Sequence, residues 1–494
     1  MRFAAIAAGL CLAGCGGGSG GGAPASTIMT PATGTTASTL TPPVSGADAF
    51  RTTEYLHMGP LDQIRAADAY ALGVTGKGVT IGIVDFNFDL TSSEVNFDPA
   101  SVGPNPQALA LYQAQIGQAA STDMHGLAVA ATAAARKNDV GGQGIAFDAK
   151  VLAVDYFSDV NETQTVQGGV LIHVSDPWTY ITSHGVRIIN TSFGYEASDV
   201  IPNPPHVSEA YVLASPAVAV VNGALLVSSA GNAGGASPSL SNFDTLSDMQ
   251  SFGVLNSGPG AFIIVGAVDA NNQIASFSDR AGTAKDHYMV APGTDFLLPW
   301  NGGMAFLSGT SFSAPLVSGA AALIFQRWPN LTAHDVANIL FASATDLGAP
   351  GVDNIYGNGL LNVAAALQPI GVSTTVVATG IAPAVSATDL VLGPAFGDAP
   401  ALHRALASVM ILDGFGRDFQ VDLSSRVGAR PNLPDLFGVL EQQLGWRSAN
   451  LPIGEATSFS FDMRRNPEDG IVPFQTLAGP QDHLTHVTVM RISG

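Results

Sequence analysis

The chain has 494 residues, of which 46% are hydrophobic and only 12% charged. That length can bury a large core and hold more than one domain, and the composition excludes a mostly disordered chain. A formal net charge of −20 repels nucleic-acid phosphates, so no nucleic-acid partner is expected, and the acidity is consistent with an exported protein kept in solution.

The N-terminus reads as an export signal. Arg2 supplies a positive start, and residues 3–13 form an apolar run too short to span a bilayer. Leu12-Ala13-Gly14-Cys15 resembles the bacterial lipobox, in which the cysteine is lipidated and becomes the new N-terminus. A lipid on Cys15 would tether the protein to the cell envelope, at the outer membrane or cell surface, without a spanning helix. The competing reading is an ordinary signal peptide cut nearby. Cys11 and Cys15 are the only 2 cysteines, so the rest of the chain has neither a disulfide framework nor a thiol nucleophile. Residues 16–50 are rich in Gly, Ser, Thr, Ala and Pro and are expected to form a flexible linker after the 1–15 signal.

From residue 51 the pattern becomes globular. Val79–Val84, Val151–Val154, Val186–Ile189, Ala224–Val227 and Phe262–Val265 are short apolar, β-branched runs that read as buried strands. Between them lie helical stretches such as the alanine-dense Gly126–Lys137, and Ser313–Arg327 is apolar on most faces, as a central helix would be. Strands alternating with helices predict an α/β fold with a mainly parallel central sheet in three layers. The pattern closes around Tyr356–Asn362 and Val363–Leu367, giving an expected domain of 51–368.

Three segments carry chemistry. Residues 81–89 read IGIVDFNFD, residues 124–130 read MHGLAVA, and residues 308–315 read SGTSFSAP. In these residues, and in their order Asp, His, Ser, the chain resembles the subtilisin family of serine proteases. The resemblance covers roughly residues 55–368 and implies that Ser311 is the nucleophile, His125 its general base and Asp85 the carboxylate that orients the histidine. The motif suits the role. A serine at the entry to a buried helix presents its hydroxyl and its N–H together; Gly309 would permit a tight approach, and Pro315 would sit in the first turn at little cost. His125 is one of 10 histidines and is singled out by opening a helix with Gly126 behind it. Asp89 is the alternative carboxylate, but the strand register favours Asp85. The family usually follows this aspartate with Ser or Thr and then Gly, where this chain has Phe86 and Asn87.

The resemblance extends further. Residues 224–234 read ALLVSSAGNAG, and by resemblance Asn232 supplies an oxyanion-hole amide that acts with the Ser311 N–H. Ser192-Phe193-Gly194 resembles the strand that pairs with substrate backbone, and Ser229-Ala230-Gly231 the wall of the pocket before the cut. Family members often bind calcium. Asp89, Asp269 and Asp279 fall in no recognisable ligand spacing, so no metal and no cofactor is expected.

Residues 369–494 differ in character. Leu412-Asp413-Gly414-Phe415-Gly416-Arg417-Asp418-Phe419 weakly resembles the region joining passenger to barrel in autotransporters. Yet 126 residues are too few for a 12-stranded barrel, at about 10 residues per strand plus turns. A relative shortened of its barrel and a small accessory domain are both open. The expected function is a serine endopeptidase acting on protein or peptide substrates, with an inactive binding protein on the same scaffold as the alternative.

Overall fold

A computed structural model of the chain describes residues 45–116, 123–167, 169–195, 207–255, 259–375, 385, 390–392, 400–429, 446–454 and 457–464. Cys15 and almost all of the expected linker lie outside these residues.

Each apolar run forms a strand, and its successive side chains point to opposite faces of one sheet. The strands are β1 (Thr80–Asp85), β2 (Lys150–Asp155), β3 (Ile188–Thr191), β4 (Leu225–Ser229), β5 (Ala261–Val268) and β6 (Tyr288–Pro292). They lie in the order β2-β1-β3-β4-β5-β6, and every neighbouring pair is parallel. Ile81, Ile83, Val151, Ala153, Ile188, Leu225, Val227, Ile263 and Val265 enter one core, whereas Val84, Leu152, Val154, Ile189, Leu226 and Ile264 enter another. This strict alternation explains the continuous apolar runs: both faces are covered.

The first core is closed by helices His125–Ala134 and Thr310–Arg327, which also pack on each other. The second is closed by Pro177–Ser183, Ala217–Val221 and Leu240–Ser251. Thr310 to Phe325 are all buried, as an all-round apolar helix must be. The fold is thus the expected three-layer α/β arrangement.

Other elements escaped the sequence pattern. Strands Thr163–Gln167, Val170–Ser175 and Glu209–Leu213 form a separate three-stranded sheet. The first of these is exposed at every residue, so it carries no apolar alternation to read. Strands Phe296–Trp300 and Gly303–Leu307 form an antiparallel hairpin.

The chain divides into two compact units, 1–373 with 412–419, and 374–411 with 420–494. In the first, Arg417 is buried and donates to Asp413 Oδ2 at 2.7 Å, to the Gln368 carbonyl at 2.8 Å and to the Ala366 carbonyl. Its guanidinium lies 4.6 Å from the ring centre of Trp328. The second unit contains helix Pro400–Leu406 and an antiparallel pair, Trp446–Gly454 with Thr457–Arg464.

Candidate active site

The strand order reverses direction at β1, which has β2 on one side and β3 on the other. In open parallel sheets, ligands bind beyond the carboxyl ends of strands at such a switch point. Asp85 ends β1, Ser192 follows β3, and Asn232 lies three residues beyond β4.

Asp85 is fully buried and shares the odd-numbered face of β1 with Ile81 and Ile83, toward the His125 helix. Its Oδ1 accepts from His125 Nδ1 at 2.7 Å and from the Phe86 N–H at 2.8 Å. Gly126 makes the approach possible. Its N–H donates to the Phe86 carbonyl at 2.8 Å, and a Cβ there would stand 2.7 Å from that same oxygen. Burial alone would lower the His125 pKa. The charge of Asp85 and its hydrogen bond, with a smaller contribution from Asp123, more than offset this and raise it above the ordinary histidine value. Phe86 lies beside the imidazole, with ring centres 5.7 Å apart. Asp89 is not part of this arrangement: it accepts from the Thr91 N–H at 3.0 Å and the Thr91 hydroxyl at 2.6 Å, closing its own turn.

Ser311 is the second residue of its helix, and N–H groups in a first turn lack intrahelical partners. Its hydroxyl donates to the Ser192 carbonyl at 3.0 Å and therefore does not bond His125 in this conformation. Pro315 is the sixth helical residue, not a first-turn residue. There it removes the N–H that would bond the Ser311 carbonyl four residues back. The Ser192 hydroxyl takes that place, donating to the Ser311 carbonyl at 2.9 Å. The Ser192 hydroxyl in turn accepts from Asn190 Nδ2 at 2.9 Å, and Asn190 Oδ1 accepts from the Ser318 hydroxyl at 3.0 Å. A buried polar chain thus ties Asn190 of β3 and the adjoining Ser192 to two points on the Ser311 helix, the Ser311 carbonyl and the Ser318 hydroxyl.

Asn232 Oδ1 accepts from the Thr310 N–H and the Thr310 hydroxyl, both at 2.9 Å. A backbone N–H can only donate, so the contacting atom is the oxygen, and Nδ2 is left as an oriented donor. A Cβ on Gly309 would lie 3.7 Å from that Nδ2, and its φ of 163° is ordinary extended backbone. The expected tight backbone approach is therefore absent. What a side chain at 309 would crowd is the space in front of the Asn232 amide.

Phe193 and Gly194 follow Ser192 at the end of β3, and Phe193 packs into an aromatic cluster with Phe86 and Tyr156. Ser229 ends β4. Ala230 is fully buried in the second core, with its carbonyl taken by the Ser239 N–H at 2.7 Å, so its side chain lines no open wall. Gly231, at φ 116°, turns the chain toward Asn232. A cavity of about 280 Å³ includes Met124 and Leu127, which flank His125-Gly126, together with Trp300 and Met304. A larger one of about 730 Å³, around Arg280 and Lys285, includes none of these residues. The polar convergence at the strand ends, and not cavity size, marks the site.

A sequence profile of the subtilase family matches residues 76–359. The chain belongs to the subtilase family. It is 30% identical over 313 residues to subtilisin BL of Lederbergia lenta, covering 62% of this chain and 97% of that protein. It is 26% identical over 380 residues to an extracellular serine protease of Serratia marcescens, covering 65% of this chain but only 34% of that protein's length. Among solved structures, MycP1 from Mycobacterium smegmatis aligns at 23% identity and a TM-score of 0.45, over 66% of this chain and 88% of its own.

Two features of this subtilase were missed in its sequence. Thr310, which orients Asn232, sat unremarked inside the serine motif. Asp155 ends β2 as Asp85 ends β1, and the signal was the matched pair of strand endings, IVD and AVD. Among the described residues no group of three or more His, Cys, Asp or Glu converges as a metal site. Asp89 closes its own turn, Asp269 accepts from the N–H groups of Asn271 and Gln273, and Asp279 accepts from that of Gly235. Asp89, Asp269 and Asp279 are thus each engaged by backbone N–H groups and do not converge on a shared calcium position.

Proposed function

We propose that this subtilase is a serine endopeptidase using Ser311, His125, Asp85 and Asn232. The observation that carries the reading is the buried 2.7 Å contact between Asp85 Oδ1 and His125 Nδ1. It fixes the tautomer with Nε2 free to accept a proton, and it stabilises the imidazolium that forms. In the first step Ser311 Oγ leaves the Ser192 carbonyl, gives its proton to His125 Nε2 and attacks the substrate carbonyl carbon. The developing oxyanion takes hydrogen bonds from Asn232 Nδ2 and the Ser311 N–H. His125 returns the proton to the leaving amine as the C–N bond breaks. Water then hydrolyses the acyl-enzyme with His125 again as base. Leaving the Ser192 carbonyl also frees that acceptor for a substrate backbone N–H, which couples binding to activation. Ser192, Phe193 and Gly194 would pair with an extended peptide, and Ser229 and Gly231 would flank its residue before the cut.

The substrates are proteins or peptides met after export. A relative named as extracellular supports this, as does the signal-like N-terminus. Lipidation at Cys15 would hold the enzyme at the envelope; incorporation of labelled palmitate that is lost in Cys15→Ser tests the anchor, and equal incorporation in both would remove it.

One observation favours the second reading, an inactive binding scaffold: the Ser311 hydroxyl donates to the Ser192 carbonyl and not to His125. Steady-state peptide hydrolysis by Asn232→Ala separates the two. The proposed role predicts a kcat loss of roughly 100- to 1,000-fold, the magnitude known for this donor in a subtilisin, with KM little changed. Unchanged kcat with weakened binding would remove Asn232 from the oxyanion hole, and no hydrolysis by the wild type would favour the scaffold.

A further inference from the structure

The mechanism leaves the fully buried Asp155, beside Asp85, unused. β1 and β2 are parallel, and their register pairs Asp85 with Asp155 at the last position of each strand. Register partners on neighbouring strands point to the same face, about 5 Å apart. Both carboxylates are therefore on the His125 side of the sheet, and both are fully buried. Two buried like charges side by side are costly unless each is tied down. Asp85 has His125. Asp155 has two backbone donors: its Oδ2 accepts from the Asn87 N–H and its Oδ1 from the Phe157 N–H, each at 3.0 Å.

The Asn87 contact is the informative one. Asn87 lies two residues past Asp85 and is left-handed, at φ 61°, a conformation Asn adopts more readily than most non-glycine residues, so the Asp155 contact fixes a turn that its residue type already favours. The strand ends are laced in the other direction too, since the Tyr156 N–H donates to the Asp85 carbonyl at 2.7 Å. Phe86, held between these two ties, supplies both the N–H that bonds the Asp85 carboxylate and the carbonyl that receives the Gly126 N–H. The turn clamped by Asp155 thus positions Asp85 and the start of the His125 helix together.

We infer that Asp155 is a positioning residue for the Asp85–His125 pair, acting through the Phe86–Asn87 turn. It needs its negative charge to do so. Protonated, it keeps one good acceptor oxygen for two N–H groups, and the turn loosens. Burial, with a smaller push from the Asp85 charge, outweighs the two backbone bonds and raises its pKa to about 6. The other titratable groups around it are Asp85 on β1, with His125 behind it, and Tyr211 on the strand Glu209–Leu213, whose phenol burial keeps neutral. Loss of the clamp therefore falls at about pH 6, on the acid side of the raised His125 value.

This rests on Asp85 and His125 acting as proposed above, and one experiment separates the two claims. The pH dependence of kcat/KM is measured for the full-length wild type and for Asp155→Asn, with thermal melts of both. The wild type should lose activity on the acid side with a slope approaching two, because both His125 and Asp155 take up protons. Asp155→Asn has one acceptor oxygen for two donors; its kcat should fall roughly ten- to a hundred-fold with little change in KM, and its acid limb should have a slope of one. A wild-type limb of slope one overturns the role of Asp155 and leaves the triad standing, and it does so even if the variant fails to fold. A variant that melts earlier but keeps the wild-type slope and kcat assigns Asp155 to stability alone and overturns it equally. A wild type with no activity at any pH overturns both claims.

Discussion

At the scale of single residues, the decisive quantity is the protonation state of His125. Burial works against the imidazolium, but the Asp85 carboxylate beside it works harder, so the pKa is raised. A base must be neutral to accept the serine proton, so kcat/KM should decline as the pH falls through a value above the ordinary 6.5 or so. The same shift adds stability below the unfolded-state pKa, and this is lost as the pH rises through the raised one. Asp85→Asn removes the main stabiliser of the imidazolium and should move the acid limb down. A variant with residual activity and an unmoved limb would detach Asp85 from the base. That Asp85 ends a buried strand, and that His125 and Ser311 stand at the starts of buried helices, was legible because each lies in a local motif with a fixed element beneath it. Asp155, Thr310 and the Ser192 hydroxyl were not, because their roles depend on which backbone group the fold brings to them. The Ser192–Ser311 pairing joins positions 119 residues apart, and no local spacing encodes it.

At the scale of elements, the Ser311 helix shows how a local rule can be displaced. A proline in a first turn is harmless, but Pro315 stands one turn deeper and leaves a buried carbonyl to be satisfied from another strand. This makes a specific prediction. Ser192→Ala should cost about 1–3 kcal/mol, the penalty of an unsatisfied buried acceptor. Adding Pro315→Ala restores a helical N–H for the Ser311 carbonyl and should recover part of that loss. Denaturant melts of the two single variants and the double variant give the coupling energy. Strict additivity would mean that the hydroxyl does not replace the missing helical bond. Five of the six central strands and both helices over the first core were readable as apolar runs because the sheet is covered on both sides; β6 (Tyr288–Pro292) was not among them. The exposed strand Thr163–Gln167 and the hairpin Phe296–Leu307 were not, since their neighbours and not their own pattern decide their state.

At the scale of the whole molecule, the boundary drawn from sequence at residue 368 marks the end of the periodic pattern, but not the end of the contacts. Residues 412–419 belong with the first unit. Arg417 bonds carbonyls at the end of helix Val363–Ala366, and Asp418 receives Arg327 at 3.1 Å and the Trp328 indole at 2.9 Å, at the far end of the helix that begins beside Ser311. The motif containing Arg417 was visible in the sequence; its docking, about fifty residues beyond those carbonyls, was not. Removing one partner of a buried ion pair costs about 3–5 kcal/mol, because the other is left uncompensated. Arg417→Ala should therefore destabilise the first unit by about that amount at pH 7. The hydrogen bonds from Arg417 and from backbone N–H groups outweigh burial and hold the Asp413 carboxyl below its usual range. That support is present above the ordinary carboxylate pKa of about 3.9 and is lost as the pH falls through the depressed value. Urea melts in a Ser311→Ala background, which prevents self-digestion, would check both points; a neutral Arg417→Ala would mean the segment rests on the unit without supporting it.

The central claim is that Ser311 is an activated nucleophile, although its hydroxyl lies on the Ser192 carbonyl in the free enzyme. Labelling of the full chain with a fluorescent fluorophosphonate, beside the Ser311→Ala variant and with folding checked by circular dichroism, tests it most directly. The wild type should label and the variant should not. A folded wild type that stays unlabelled, or a variant that labels equally, would contradict it.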